Sequence, residues 1–432
     1  KLMALLFAFA MIVAACGDDD GESTTTTEGG GGETTTTSAE TTTTAAGGET
    51  TTTAAAADFV GAAVEAPNCD YGGKVAKIEA TAADEVVFTM CSPVPAFRQI
   101  AAFTPFGIQP EEYINATGGG GTILEAPIGT GPFVLDTWQR GDSIIMSANP
   151  NYWGDPAPYS QLVFRWATEG AARLLELQSG TVDQITNLSP DDFDTVKADG
   201  NLTFIPVSNP NTMYLAMTAQ LDAFGESPGG DTIFADPKVR QAIALGIDRE
   251  RIVSNFYPEG SEAASHFTPC SIPNGCVGEE WYSFDAEAAK ALLAEAGYPD
   301  GFDTTLYYRD VFRGYLPEPS QVAVEFQTQL KNNLGINAEV VVMESGEFID
   351  ESTNGRLDGL YMLGWGADYP HVTNFLDFHF SKSNPQFGEP HPEIYELLEQ
   401  GSQIATDAEA APIYEEANNN IKALVPMVPI AH

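Results

Sequence analysis

Between residues 74 and 166 apolar and polar positions alternate in short runs, and beyond residue 236 longer amphipathic stretches take turns with compact apolar ones. Alternation with period two marks half-buried strands, and apolar residues three and four apart mark helices. Lys74–Met90 therefore reads as a hairpin turning at Ala82-Ala83-Asp84, and Ala96–Ile108 as mostly helical. Val134–Trp138 and Ser143–Ser147 form a second hairpin around Arg140-Gly141-Asp142. Leu162–Trp166 reads as a strand, Gly170–Gln178 as a helix ending at Gly180, and Val182–Ile185 as a short strand, an α/β signature.

Asp236-Pro237 opens a helix with an N-cap and a proline at the first helical position, and Val239, Ile243, Gly246, Ile247 and Ile252 share its inner face. A further helix is capped at Asp285 and stopped at Gly297. Strands Thr304–Tyr308, Ala338–Met343 and Leu360–Leu363 then alternate with helices Pro319–Asn333 and Glu347–Asn354. Helical connections imply parallel pairing, which brings the three carboxyl ends to one edge. Arg309, Arg313, Glu344 and Trp365–Tyr369 are expected along it.

The run Gly359–Gly364 is apolar on both faces, as in a central strand, and stops at Gly364-Trp365-Gly366-Ala367-Asp368-Tyr369-Pro370. Open α/β sheets bind ligands outside the carboxyl ends of their strands. An acid flanked by aromatics can take a cationic group there; a solvated loop acid beside core aromatics is the plainer alternative. Amphipathic helices at about Pro392–Ile404 and Ala408–Ala423 follow, and Val425–Ile430 heads into a strand that stops at His432, as in a truncated chain.

Composition narrows the function. Lys+Arg 19 against Asp+Glu 61 gives a net charge of −42, which repels nucleic acid and anionic lipid. The glycine run Gly118–Gly121 is followed by no GKS or GKT and reads as a surface loop. None of the five histidines, His266, His371, His379, His391 and His432, stands in a Ser–His or HExxH arrangement, so catalysis has no residues to rest on. Metal and cofactor are not expected, although His371 and His379, close after Gly364–Pro370, motivate a nickel or metal-chelate carrier as a rival.

Lys1–Cys16 has the shape of a secretory signal, too short for a stable span, and ends Val13-Ala14-Ala15-Cys16. Residues 17–57 are mostly Thr, Gly, Glu and Ala and cannot bury enough surface to order, so they read as a tether. Without Cys16, four cysteines remain; an even count in an exported chain suggests disulfides, with proximity favouring Cys69–Cys91 and Cys270–Cys276. A metal site is the competing reading, disfavoured because the spacings match no zinc pattern.

Five stretches in order, GTGPFVLDTWQRGDSIIMSANPNYWGD, DPKVRQAIALGIDRERIV, AKALLAEAGYPDGF, QLKNNLGINAEV and GLYMLGWGADYP, resemble the extracytoplasmic solute-binding proteins of peptide-type ABC importers, the oligopeptide, dipeptide and nickel group. Val13–Cys16 resembles a bacterial lipobox, which implies lipidation of Cys16 and an anchor on the outer side of the membrane. The resemblance implies an α/β, two-lobed periplasmic-binding-protein-like fold of type II, with mixed sheets covered by helices on both faces. Its expected division is a signal at 1–16, a tether at 17–57, an incomplete lobe I at 58–262, lobe II at 263–425 and a return strand towards lobe I at 426–432. The implied function is capture of a small solute by a monomer and its delivery to permease subunits. An oligosaccharide carrier, or a sensor without transport, would use the same fold.

By position Asp368 matches the aspartate that receives a peptide's amino group, with Trp365 and Tyr369 as walls and Tyr214 as a further ligand contact. Met362 stands where peptide binders carry an arginine, so carboxylate recognition would fall to Arg309 or Arg313. His371 likewise departs from the family's acidic residue, and the solute is left unnamed.

Overall fold

A five-stranded sheet organises the carboxyl-terminal half. The computed structural model describes residues 59–207, 209–219 and 232–432, so the expected signal, Cys16 and the tether lie outside the described residues. The sheet comprises β7 (Asn211–Met217), β8 (Asp303–Tyr308), β9 (Asn337–Val342), β10 (Leu360–Gly366) and β11 (Met427–Ala431). β8 pairs parallel with both β9 and β10, as the helical connections require, while β7 runs antiparallel to β10 and β11. Residues 360–364 of β10 are buried, which explains why that run carries no polar face.

The helices of this half cover the sheet. They are α6 (Pro237–Gly246), α7 (Arg249–Phe256), α8 (Ala286–Glu295), α9 (Pro319–Leu334), α10 (Ser345–Thr353), α11 (Val372–Phe380), α12 (Pro392–Gly401) and α13 (Asp407–Leu424). Side-chain caps from Asp236 and Asp285 start α6 and α8 as expected. The face expected of one helix is shared by two, because Asp248 caps a second start and accepts from the Arg251 backbone N–H. Arg240 is buried and donates to the carbonyls of Phe234, Ala235, Leu424 and Val425, tying α6 to the end of α13.

The core differs from the expected division at residue 262. β7, α6 and α7 precede that point yet pack into the same sheet and helical layer as α8, α9 and β11. β11 pairs with β7 inside this sheet, where its five residues are all buried.

The amino-terminal half holds two small antiparallel sheets. One is β1 (Ala62–Glu65), β2 (Val75–Ala82) and β3 (Glu85–Met90); the other is β4 (Phe133–Gln139), β5 (Ser143–Ala148) and β6 (Gln161–Arg165). Both hairpins turn where the alternation placed them. Between and after them lie α1 (Phe97–Ala101), α2 (Glu111–Thr117), α3 (Thr122–Glu125), α4 (Gly170–Gln178) and α5 (Phe193–Ala198). Val182–Ile185 is not a strand: the Val182 N–H bonds back to Glu176 at the end of α4, and β6 finds its partner in β5.

Cys69–Cys91 and Cys270–Cys276 are both disulfide-bonded, as proximity in the chain led us to expect. The first joins the approach to β2 with the exit of β3; the second closes a loop ahead of α8. Among the described residues no helix is long and apolar enough to cross a membrane.

Candidate functional site

The carboxyl ends of β8, β9 and β10 do meet at one edge, and the side chains there fall into two bonded groups. The first is built on the turn after β10. Trp365 Nε1 donates to Asn374 Oδ1 at 3.0 Å, and the Asp368 backbone N–H donates to the same oxygen at 2.9 Å. Asn374 Nδ2 in turn donates to Asp368 Oδ2 at 3.2 Å. Asn374 is 5% exposed, while Asp368 is exposed. A buried amide thus fixes the direction of a carboxylate that faces solvent.

Asn374 owes its place to α11. His371 caps this helix by accepting from the Thr373 N–H, and Asn374 sits in its first turn, where side chains reach back to the preceding loop. Trp365 is stacked on Phe378 of α11 with ring centroids 4.4 Å apart. The indole therefore walls the turn with its ring and its N–H already committed. Tyr369 is half-buried, its hydroxyl 3.3 Å from Thr373 Oγ1, and burial pushes its phenol up so that it stays neutral.

The second group follows β8. Arg309 donates to Ser345 Oγ at 3.0 Å and to the Tyr315 hydroxyl at 3.2 Å. Tyr315 packs over Gly364, one residue before Trp365, which joins this group to the first through the backbone of β10. Arg313 donates to the Phe312 carbonyl and forms a bridge with Leu316. Glu344 is consumed as the N-cap of α10, accepting from the Gly346 and Glu347 N–H groups at 2.7 and 3.0 Å.

Tyr214 corrects the expectation drawn from the sequence. It is 0% exposed, its hydroxyl accepts from Gln386 Nε2 at 2.6 Å, and Phe267, His379 and Phe387 surround its ring. It is a core residue of β7. His371 and His379 are likewise structural. His371 is spent on its cap, and His379 donates from Nδ1 to the Phe375 carbonyl in a site where burial pushes it down to about 4. Among the described residues neither belongs to a cluster able to hold a metal.

A sequence model of the family described as "Bacterial extracellular solute-binding proteins, family 5 Middle" matches residues 33–387. The chain is similar to heme-binding protein A of Haemophilus influenzae, 28% identical over 317 residues that cover 72% of this chain and 55% of that protein. It is also similar to the dipeptide-binding protein of Escherichia coli, 27% identical over 355 residues, 80% of this chain and 64% of that one. It thus spans between half and two thirds of the length of these relatives. Among solved structures, a dipeptide-binding protein from Pseudoalteromonas in complex with Met-Leu matches with TM-score 0.72 at 26% identity, over 83% of this chain and 70% of that one. A periplasmic binding protein from Helicobacter pylori in complex with the peptide STSA shares the fold, with TM-score 0.71 at 24% identity, over 83% of this chain and 68% of that one.

Proposed function

The chain belongs to the family 5 bacterial extracellular solute-binding proteins, and on that premise we propose that it captures a small solute with a cationic amino group, an oligopeptide or a similar molecule, at the carboxyl edge of β8, β9 and β10. Asp368 receives the ammonium. Trp365 and Tyr369 flank it and exclude water, which strengthens the charge pair. Arg309, steadied by Ser345 and Tyr315, offers the opposite charge for a carboxylate of the solute. The captured solute is handed to the permease of an ABC importer. Cys16 carries the lipid, and residues 17–57 tether the folded body outside the membrane. The two disulfides suit the oxidising side of that membrane.

One observation carries this reading. Asp368 is exposed, yet Asn374 holds one of its oxygens and its backbone N–H, so its second oxygen is aimed without being used. A merely solvated loop acid has no need of a buried amide to orient it. Solute binding stabilises the form that binds, so a thermal-shift screen across dipeptides, longer peptides, heme, oligosaccharides and nickel chelates identifies the class. The expected hit carries a free amino group, and Asp368→Ala should weaken it about tenfold or more, the loss of one charge-assisted hydrogen bond. A hit whose affinity ignores Asp368→Ala would overturn the assignment.

A further inference from the structure

The loop closed by the second disulfide has a histidine packed against it. His266 is 4% exposed, and a ring nitrogen of His266 and the sulfurs of Cys270 and Cys276 all lie within 4.8 Å of one another. Ser265 Oγ sits among them, 3.0 Å from His266 Nδ1, 3.5 Å from Cys270 Sγ and 3.7 Å from Cys276 Sγ. His266 Nε2 is buried without a well-formed hydrogen bond. Cys270 is exposed, which gives reagents and ions a way in.

The loop is held in place by bonds other than the disulfide. Asn274 Nδ2 donates to the Asp407 carbonyl at 2.9 Å, and Asn418 Nδ2 of α13 to the Val277 carbonyl at 2.9 Å. Turn bonds run from the Ile272 N–H to Pro269 and from the Gly275 N–H to Ile272. Gly275 is packed so closely that a Cβ there would stand 2.4 Å from the Pro269 carbonyl oxygen. Opening the sulfur–sulfur bond therefore leaves both sulfurs and the imidazole close together.

We propose that the reduced form of this loop is a binding site for a thiophilic divalent cation of the zinc type, with Cys270 and Cys276 as thiolates and His266 as the third ligand. Two thiolates and one imidazole leave a fourth tetrahedral position for water. The chemistry balances with a phosphine reductant: the S–S bond breaks, each sulfur gains a proton, and the phosphine is oxidised by taking oxygen from water. Metal binding then releases the two thiol protons and gives a centre with no net charge. The C-x5-C spacing alone argues against such a site, because the third ligand precedes the loop and only the fold brings it in.

The test uses the full chain, reduced by a phosphine and handled without oxygen, titrated with Co2+ and then Zn2+. We expect thiolate-to-cobalt charge-transfer bands and tetrahedral d–d bands that one equivalent of Zn2+ removes, and no such bands in the oxidised chain. Cys270→Ser leaves Cys16, Cys69, Cys91 and Cys276 in place, so loss of the bands in that variant assigns them to this loop. His266→Gln should weaken Co2+ binding by about tenfold or more, a loss that even outer partners of metal ligands can produce. Absence of the bands from the reduced chain, or bands unchanged in Cys270→Ser, would overturn the proposal. If His266→Gln fails to fold, the Cys270→Ser comparison still decides.

Discussion

The ring of Tyr315 occupies the space that a side chain on Gly364 would need. A Cβ at that position would stand 2.3 Å from Tyr315 Cδ2 and 2.5 Å from the Thr212 carbonyl oxygen. Gly364→Ala should therefore push Tyr315 outward, breaking its bond to Arg309, at a cost of about 1–3 kcal/mol for overpacking. Chemical denaturation measures it. The double variant Gly364→Ala with Tyr315→Ala should lose less than the two single losses added together, since the clash with the ring needs both, while the clash with the Thr212 carbonyl stays.

Asn374 serves Trp365 and Asp368 with one amide. Asn374→Ala strands the Trp365 indole N–H and the Asp368 backbone N–H, with a destabilisation of about 1–3 kcal/mol from unsatisfied donors. Asn374→Asp keeps an acceptor for both N–H groups but sets a second carboxylate beside Asp368. Its solute affinity should fall at neutral pH and recover as the pH is lowered, which isothermal titration at two pH values would read.

Asp377 and His379, two residues apart on α11, oppose each other as pH changes. Burial pushes Asp377 up to about 7, with Lys74 acting the other way, and leaves its Oδ1 without a partner. Because the folded chain holds this proton more tightly than the unfolded one, Asp377 costs stability progressively as pH rises from about 4 to about 7. Each unit of difference is worth about 1.4 kcal/mol, an upper bound for a side chain that keeps some solvent contact. His379 works in the reverse sense. Burial holds it down to about 4, so its contribution is present above its ordinary value and lost as pH falls towards 4. Asp377→Asn should match the parent Tm at pH 4 and exceed it at pH 8. Equal Tm values at pH 8 would contradict this account.

Removing Cys69–Cys91 frees a chain segment with a sequence separation of 22, a loss of about 3 kcal/mol on the chain-entropy account. The effect should be local. In Cys69→Ser with Cys91→Ser, hydrogen exchange should accelerate in β1, β2 and β3, while β8 and β10 keep their protection.

Much of this architecture was legible in the sequence for identifiable reasons. Helical stretches between three apolar runs force parallel pairing, and that alone brought Arg309, Glu344 and Asp368 to one edge. The helix α11 was not legible, because seven of its nine residues are buried, the polar Thr373, Asn374 and His379 among them. With it went Asn374, whose only local hint is a polar residue three places after the helix cap. Tyr214 was misread because its partner Gln386 lies far along the chain, and nothing near it in sequence marks a hydroxyl as satisfied. The division at residue 262 misplaced β7, since a strand that joins a sheet from a distant segment announces only that it is a strand.

The strand that carries Trp365 lies between β7 and β8, and β7 is itself flanked by β11. Its register with β7, Leu360 against Met217, joins segments far apart in the sequence, and the pairing of Met427 with Ala216 spans a longer interval still. Loop closure of that size must be completed before the contacts reward it, so this sheet should be slow to assemble. The local hairpins β2–β3 and β4–β5 can form early, whereas the edge bearing Asp368 is among the last parts of the molecule to exist. That edge, proposed above as the place of solute capture, is then complete only when folding is finished, and a chain stalled before that point would lack it.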